Sequence, residues 1–337
     1  MLRSFEAEET HKNKPRFLIL ERGLLIFIQG YKLMNKFITT IIFLIVLCSI
    51  TISCDSSNNN INELNSNQNQ ESNSTKFPID ILDSNGENVR IYERPTKMII
   101  LDSAAVEILF AIGQGNKIVG THSFATHPQE AKQIPKVGDS FSINIEKIIE
   151  QDPDLVYIFF DKFSNDLSKH QLKVLYIKTL ENNFSNISDQ ILMWGEITGS
   201  KDSAIKLADK FNNQIENIKS KIDYNAKSPA IFIDTTDLWT SGPNTLMGEV
   251  LELLNLSNIA HDISGYAQLN PEIIIERNPD FIITPNPNTF RDNPAFKEIS
   301  AVKNNKIFTL KSDALSVPGP RFIDGINELA SLIYPGW

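Results

Sequence analysis

The chain has 337 residues, 41% of them hydrophobic, and a net charge of −9. That apolar share can fill two modest cores, and an acidic chain without a basic block excludes a nucleic-acid partner. The two cysteines, Cys48 and Cys54, fall in one apolar segment, which leaves neither a disulfide framework nor a zinc cluster for the remainder.

Residues 1–33 carry two apolar patches, FLIL and LLIFI, broken by Glu21, Arg22 and Gly23. From Met34 a short basic start (Lys36), a long apolar run and small polar residues lead to Cys54. This is the layout of a secretory signal peptide, residues 34–53. Signals begin proteins, so Met34 is the expected start and 1–33 is read as a mis-assigned upstream stretch. The segment resembles a bacterial lipoprotein signal, in which Cys54 becomes the lipidated first residue. Ser53 suits that reading, whereas Cys48 follows bulky Leu47. A retained membrane-spanning helix competes, since the run is nearly long enough; a single cysteine beside a polar tether favours lipidation. Residues 54–76 are rich in Asn and Ser and are expected to be a disordered tether.

Order is expected from Phe77. FPIDILDSNGENVRIY alternates around Ser-Asn-Gly, which predicts a β-hairpin. MIILD (98–102) reads as a short buried strand, and AVEILFAIG as a helix that stops at Gly113. In KDSAIKLADKFNNQIENIKSKIDY, apolar Ala208, Phe211, Ile215, Ile218 and Ile222 form one stripe, which predicts a long helix over 200–225. It separates an α/β lobe at 77–199 from another at 226–337.

The two lobes echo each other. IEKIIEQDPDLVYI (145–158) returns as PEIIIERNPDFIIT (271–284), pairing Glu146 with Glu272, Ile148 with Ile274, Pro153 with Pro279 and Asp154 with Asp280. EILFAIGQGNKIV (107–119) returns as EVLELLNLSNIA (249–260), pairing Glu107 with Glu249 and Gly113 with Asn255. Strands MIILD and AIFID precede the second echo, and KVLYIKT and KIFTLKS close each lobe. Alternating buried strands and helices imply a parallel-rich sheet in each half. The echoes lie 142 and 126 residues apart, so the first lobe carries about 16 extra residues in THSFATHPQEAKQIPKVGDSFSIN, a candidate functional loop.

Two α/β lobes, one long helix and a lipoprotein signal resemble the substrate-binding proteins of ABC importers of the cobalamin and ferric-siderophore class. The resemblance runs from Phe77 to Trp337 through RPTKMIILDSAAVEILFAIGQGNKIVGT, IPKVGDSFSINIEKIIEQDPDLVYI, WTSGPNTLMGEVLELL, LNPEIIIERNPDFII and VPGPRFIDGINELA. It implies two Rossmann-like lobes on one stiff helix, the class III periplasmic-binding-protein fold, with ligand held between the lobes. It further implies a permease and its ATPase as partners, docked through one glutamate per lobe. Here these are Glu146 and Glu272, each at a predicted helix start where the macrodipole favours a carboxylate. Helix capping alone would account for either one singly.

Binding loops in open α/β sheets follow the carboxyl ends of the strands. In the first lobe those loops hold Ser103, His122, Phe124, His127, Phe141, Phe159 and Phe160; in the second they hold Trp239, Tyr266 and the segment before Arg321. The resemblance matches Phe124 and Tyr266, and Phe141 to within a residue, to aromatic positions of cobalamin binders. Such a lining suits a large, flat, partly apolar chelate of cobalt or iron, with no cofactor intrinsic to the protein. A corrinoid is the favoured ligand, then a ferric siderophore or haem. His122 and His127 could stand near a ligand metal, or with His261 form a bare zinc or manganese site; surface histidines bonded to backbone or water fit equally. An enzyme on a similar fold is the reading from another class. Against it, the chain has no Gly-rich phosphate loop, no nucleophile elbow and no cysteine after Cys54. The expectation is a monomer tethered to the outer face of the bacterial cytoplasmic membrane.

Overall fold

A computed structural model describes residues 75–139, 141–179 and 183–337. The expected start at Met34, the signal at 34–53, the lipidation of Cys54 and the tether up to residue 74 lie outside the described residues. Among the described residues no helix is long and apolar enough to cross a membrane.

The predicted hairpin is formed by strands β1 (Ile79–Leu82) and β2 (Asn88–Ile91), paired antiparallel. The Asp83 carboxylate holds its turn, accepting from the backbone N–H of Asn85 and of Glu87 at 2.8 and 2.9 Å. A parallel sheet follows, built from β3 (Met98–Ile100), β4 (Ile118–Thr121), β5 (Leu155–Ile158) and β6 (Val174–Tyr176) in the order β4-β3-β5-β6. The second lobe repeats it with β7 (Ala230–Ile233), β9 (Ser257–Asn258), β11 (Phe281–Ile283) and β12 (Ile307–Phe308), ordered β9-β7-β11-β12. Each sheet therefore runs second strand, first, third, fourth. That order places a switch point beside the first strand, where ligand crevices form. Strands β3, β5, β7 and β11 are apolar because both of their faces are covered.

Helices α1 (Ser103–Ala111), α2 (Ile145–Glu150), α3 (Ser164–Lys169) and α4 (Phe184–Thr198) belong to the first lobe. The predicted connector is α5 (Lys201–Lys221), 21 residues long, which at 1.5 Å per residue spans about 32 Å. Its stripe buries Ala204, Ala208, Phe211 and Ile218. It lies against α4 so closely that a Cβ on Gly195 would stand 2.4 Å from that of Ala204. Helices α6 (Leu246–Leu253), α7 (Pro271–Arg277), α8 (Asn288–Arg291), α9 (Ser300–Lys303) and α10 (Phe322–Ile333) complete the second lobe.

One apolar cluster joins the lobes. It contains Met98, Ile100, Leu155 and Tyr157 of the first sheet and Ile231, Ile233, Phe281 and Ile283 of the second, with helix residues that include Leu109 of α1, Trp194 of α4, Phe211 of α5 and Phe322 of α10. The alternate residues of each sheet face outward into separate clusters: Ile99, Val156 and Ile158 with Ile148 in one, Phe232 and Ile282 with Ile274 in the other. The period-two alternation of strands thus divides each sheet between a private outer layer and a shared inner one.

The repeated segment gives the same construction twice. Asn144 and Asn270 cap α2 and α7, accepting from Lys147 N–H and Glu272 N–H. Ile148 and Ile274 are fully buried. Asp152 (φ +48°) and Asn278 (φ +44°) then turn the chain through left-handed backbone, which short polar side chains tolerate best. Asp154 accepts from Thr96 N–H and Lys97 N–H at 2.6 and 2.9 Å, and Asp280 accepts from Ala230 N–H at 3.0 Å. Each Pro-Asp aspartate laces the third strand to the start of the first. Gly113 (φ +79°) and Asn255 (φ +49°) end the helices of the other echo in the same conformation.

The offset count sees only net length between echoes. The structure adds a second insertion, in the other lobe: β8 (Trp239–Ser241) and β10 (Tyr266–Gln268), an antiparallel ribbon without counterpart in the first lobe.

Candidate interlobe ligand site and docking face

Every residue expected in the cleft follows the carboxyl end of a strand. In the first lobe, Ser103 is the first residue of α1 and His122 directly follows β4. Ser103 Oγ and His122 Nε2 are 3.1 Å apart. His122 is only 3% exposed, so it is a buried residue rather than a surface-loop histidine. Burial, with the Lys136 ammonium nearby, pushes its imidazole down to about 4 against the pull of Asp139, so the ring is neutral at physiological pH. Its Nδ1 has no hydrogen-bond partner. Phe124 stands over it at 6.2 Å between ring centroids and is 59% exposed.

The inserted loop is tightly built. Lys136 Nζ donates to the carbonyls of Ala125 and Ala131, and Val137 N–H returns to Thr121. Asp139 then accepts from Phe141 N–H and Ser142 N–H at 2.7 Å each. That turn lifts Phe141 out at 75% exposure. Beside it, after β5, Phe159 and Phe160 meet edge to face at 5.5 Å. Lys162 ties the two loops together: its Nζ donates to the Phe141 carbonyl and lies 5.7, 5.7 and 4.6 Å from the rings of Phe141, Phe160 and Phe163. The sequence reading passed over Lys162. A lysine flanked by Phe160 and Phe163 in a post-strand loop was the available signal.

In the second lobe the ribbon presents Trp239 and Tyr266. Its register pairs Trp239 with Gln268 and Tyr266 with Ser241, so the tryptophan and tyrosine share one face as diagonal neighbours. Both are exposed. Five of the large exposed aromatics therefore follow parallel strands: Phe124, Phe141 and Phe160 in loops of the first lobe, and Trp239 and Tyr266 on the β8–β10 ribbon of the second.

His127 and Arg321 line one concavity of about 390 Å³ together with Glu107, Phe110 and Pro128. One follows β4 and the other follows β12, which sets the carboxyl edges of the two sheets on facing sides at that seam. Arg321 does not point a free charge at a ligand. It meets Glu107 at 2.8 Å and Asp313 at 2.7 Å. Arg277 and Arg291 are likewise engaged, by Asp262 and by the carbonyl of Ile307. The three histidines do not converge. His122 is buried while His127 and His261 are exposed, and among the described residues no group of three or more His, Cys, Asp or Glu could hold a metal ion.

Glu146 and Glu272 sit in the first turns of α2 and α7, each two residues after its capping asparagine, and both are exposed. A groove of about 730 Å³ runs beside Glu146, lined by Ser123, Gly138, Asp139 and Asn144.

Two parallel sheets in matching order, joined through one 21-residue helix, with exposed aromatics at their carboxyl edges, define a class III periplasmic binding protein. The chain belongs to the periplasmic binding protein family, which it matches over residues 98–314. It is 33% identical over 272 residues to the uncharacterized ABC transporter substrate-binding lipoprotein YvrC of Bacillus subtilis, covering 77% of this chain and 86% of that one. It is 26% identical over 243 residues to the vitamin B12-binding protein of Vibrio vulnificus, covering 69% and 88%. The crystal structure of the periplasmic vitamin B12 binding protein BtuF of Vibrio cholerae shares its fold, with a TM-score of 0.62 over 71% of this chain and 96% of that one, at 23% identity. The chain is a substrate-binding protein of the ABC-transporter type, not an enzyme.

Proposed function

We propose that the chain captures a large, flat metal chelate between its lobes and delivers it to an ABC permease. A corrinoid of the cobalamin type is the first ligand; a ferric siderophore or haem is the next. The observation that carries this reading is the set of exposed rings on both carboxyl edges, Phe124, Phe141, Phe160, Trp239 and Tyr266. Rings held open to water at a crevice suit a broad apolar surface with polar edges. The charge pattern orders the candidates. Arg277, Arg291 and Arg321 are each engaged within the protein, so a polyanionic ferric chelate would meet little free positive charge. A vitamin B12-binding relative points the same way.

The optical spectrum of protein purified from its own host tests the ligand. Corrinoid bands support the reading; a haem or ferric-siderophore spectrum replaces it with the second choice. Titration with cyanocobalamin, followed by Trp239 fluorescence, gives the affinity.

Delivery rests on Glu146 and Glu272, one exposed carboxylate per lobe at equivalent positions of the repeat. Paired charges of this kind set docking register and association rate. Reversing both to lysine is expected to abolish uptake while leaving ligand affinity within about twofold. Loss of ligand binding in that variant would remove the docking role. Cys54 is proposed as the lipid anchor on the outer face of the membrane, checked by mass spectrometry of the mature N-terminus.

A further inference from the structure

The second echo of the sequence, Glu107 with Glu249, finds a use in the structure distinct from docking. Glu107 lies on α1, in the first lobe, with only 4% of its side chain exposed. It crosses to Arg321 beyond the last strand of the second lobe, where Nε and Nη2 of the guanidinium both stand 2.8 Å from Glu107 Oε1. Glu249 lies on α6, in the second lobe. It crosses the opposite way and accepts Phe184 N–H at 2.9 Å, an otherwise unpaired donor at the start of α4 in the first lobe. Two equivalent glutamates on equivalent helices thus each grasp the opposite lobe.

The seam at Glu107 is also sterically close. A Cβ on Gly319 would stand 3.2 Å from Glu107 Oε2 and 3.4 Å from Ala104 Cα. The segment Val317–Arg321 therefore combines a residue without a side chain at the contact with a guanidinium that secures it. Asp313 holds the other side of that guanidinium at 2.7 Å. On the Glu249 side, Phe184 packs on Phe322 at 6.4 Å, and a concavity of about 480 Å³ is lined by Phe184, Ile215, Tyr224 and Glu249.

We propose that Glu107 and Glu249 are a pair of positioning residues that set the resting angle between the lobes, and with it the width of the ligand cleft. Neither touches the ligand. Each acts through the opposite lobe: Glu107 through Arg321, Glu249 through the first turn of α4. The connector α5 restrains bending along its own axis, and the two glutamates restrain rotation about it. Capture then requires little closure, and the aromatic walls meet the ligand at a preset spacing.

The test measures the interlobe distance without ligand. Spin labels are placed at Ser168→Cys and Lys297→Cys, one per lobe, in the full chain carrying Cys48→Ser and Cys54→Ser. The parent is expected to give one narrow distance distribution. Glu107→Ala and Glu249→Ala each broaden it, and the double variant broadens it further. Glu249→Gln, whose amide oxygen still accepts Phe184 N–H, leaves it narrow; a merely structural loss of carboxylate would not be rescued in this way. If the alanine variants do not fold, Arg321→Lys, which keeps the charge but loses the fork, carries the same test. A distribution as narrow in the folded variants as in the parent overturns the proposal. For cyanocobalamin, dissociation is expected to quicken about tenfold in the double variant. The distance result stands or falls whether or not cyanocobalamin binds, so failure of the ligand reading and failure of this one are told apart.

Discussion

The fold sets the protonation state of His122 directly. Burial lowers its folded value to about 4 from a reference of 6.5. Below pH 6.5 the unfolded chain takes up a proton that the folded chain refuses, so stability is complete above 6.5 and falls as pH drops toward 4. The full effect is on the order of 3 kcal/mol. Burial also raises Glu107, to about 7, and its contribution runs the opposite way between 4.5 and 7. The His122 effect is therefore read as a difference: in melts between pH 7.5 and 4.5, His122→Gln should gain stability relative to the parent as pH falls. The exposed rings act at the same scale. Removing Phe124, Trp239 or Tyr266 as single alanine variants should weaken ligand binding about five- to tenfold each while leaving the melting temperature nearly unchanged. A ring that stabilises the fold would do the reverse. Phe124 was legible as a loop ring after a buried strand, whereas Trp239 and Tyr266, expected in loops, sit on the strands of the β8–β10 ribbon. Sequence alone could not show that His122 is buried, since that depends on contacts such as the one with Ser103, 19 residues away, which no local pattern encodes. Nor could it show that Arg321 is engaged: its partners Glu107 and Asp313 lie 214 and eight residues away.

At the scale of elements, the repeat explains why the fold was legible at all. Asn cap, buried Ile, left-handed turn and Pro-Asp recur in both lobes because the same joint between helix and strand is built twice. The two left-handed positions differ in what their side chains hold. Asp152 has an exposed side chain whose contact is a surface ion pair with Lys97, so Asp152→Gly should be neutral or stabilise by up to about 1 kcal/mol. Asn278 also accepts Ser300 N–H at 2.7 Å, so Asn278→Ala loses both conformation and bond and should cost about 1–2 kcal/mol. Urea denaturation of both variants decides the matter. The β8–β10 ribbon escaped the sequence reading for a physical reason. Its strands are three residues each, are separated in sequence by α6 and β9, and differ in pattern from the parallel core strands.

At the scale of the molecule, the two lobes contribute to one continuous apolar cluster, and the buried stripe of α5 belongs to it. Calorimetry of the ligand-free protein is therefore expected to show one transition, not two, with calorimetric and van't Hoff enthalpies in agreement. The lacing by Asp154 and Asp280 is internal to each lobe and would not by itself couple them; the shared cluster does. The two halves carry the same caps, turns and strand order, yet their inner apolar residues run together into one cluster. Residues 77–199 produced alone would lose the α5 and second-lobe members of that cluster, Phe211, Ile231 and Phe322 among them, and should be less stable and more prone to associate than the full chain. One plan is written twice, yet cutting the chain between the two copies would divide a single apolar cluster.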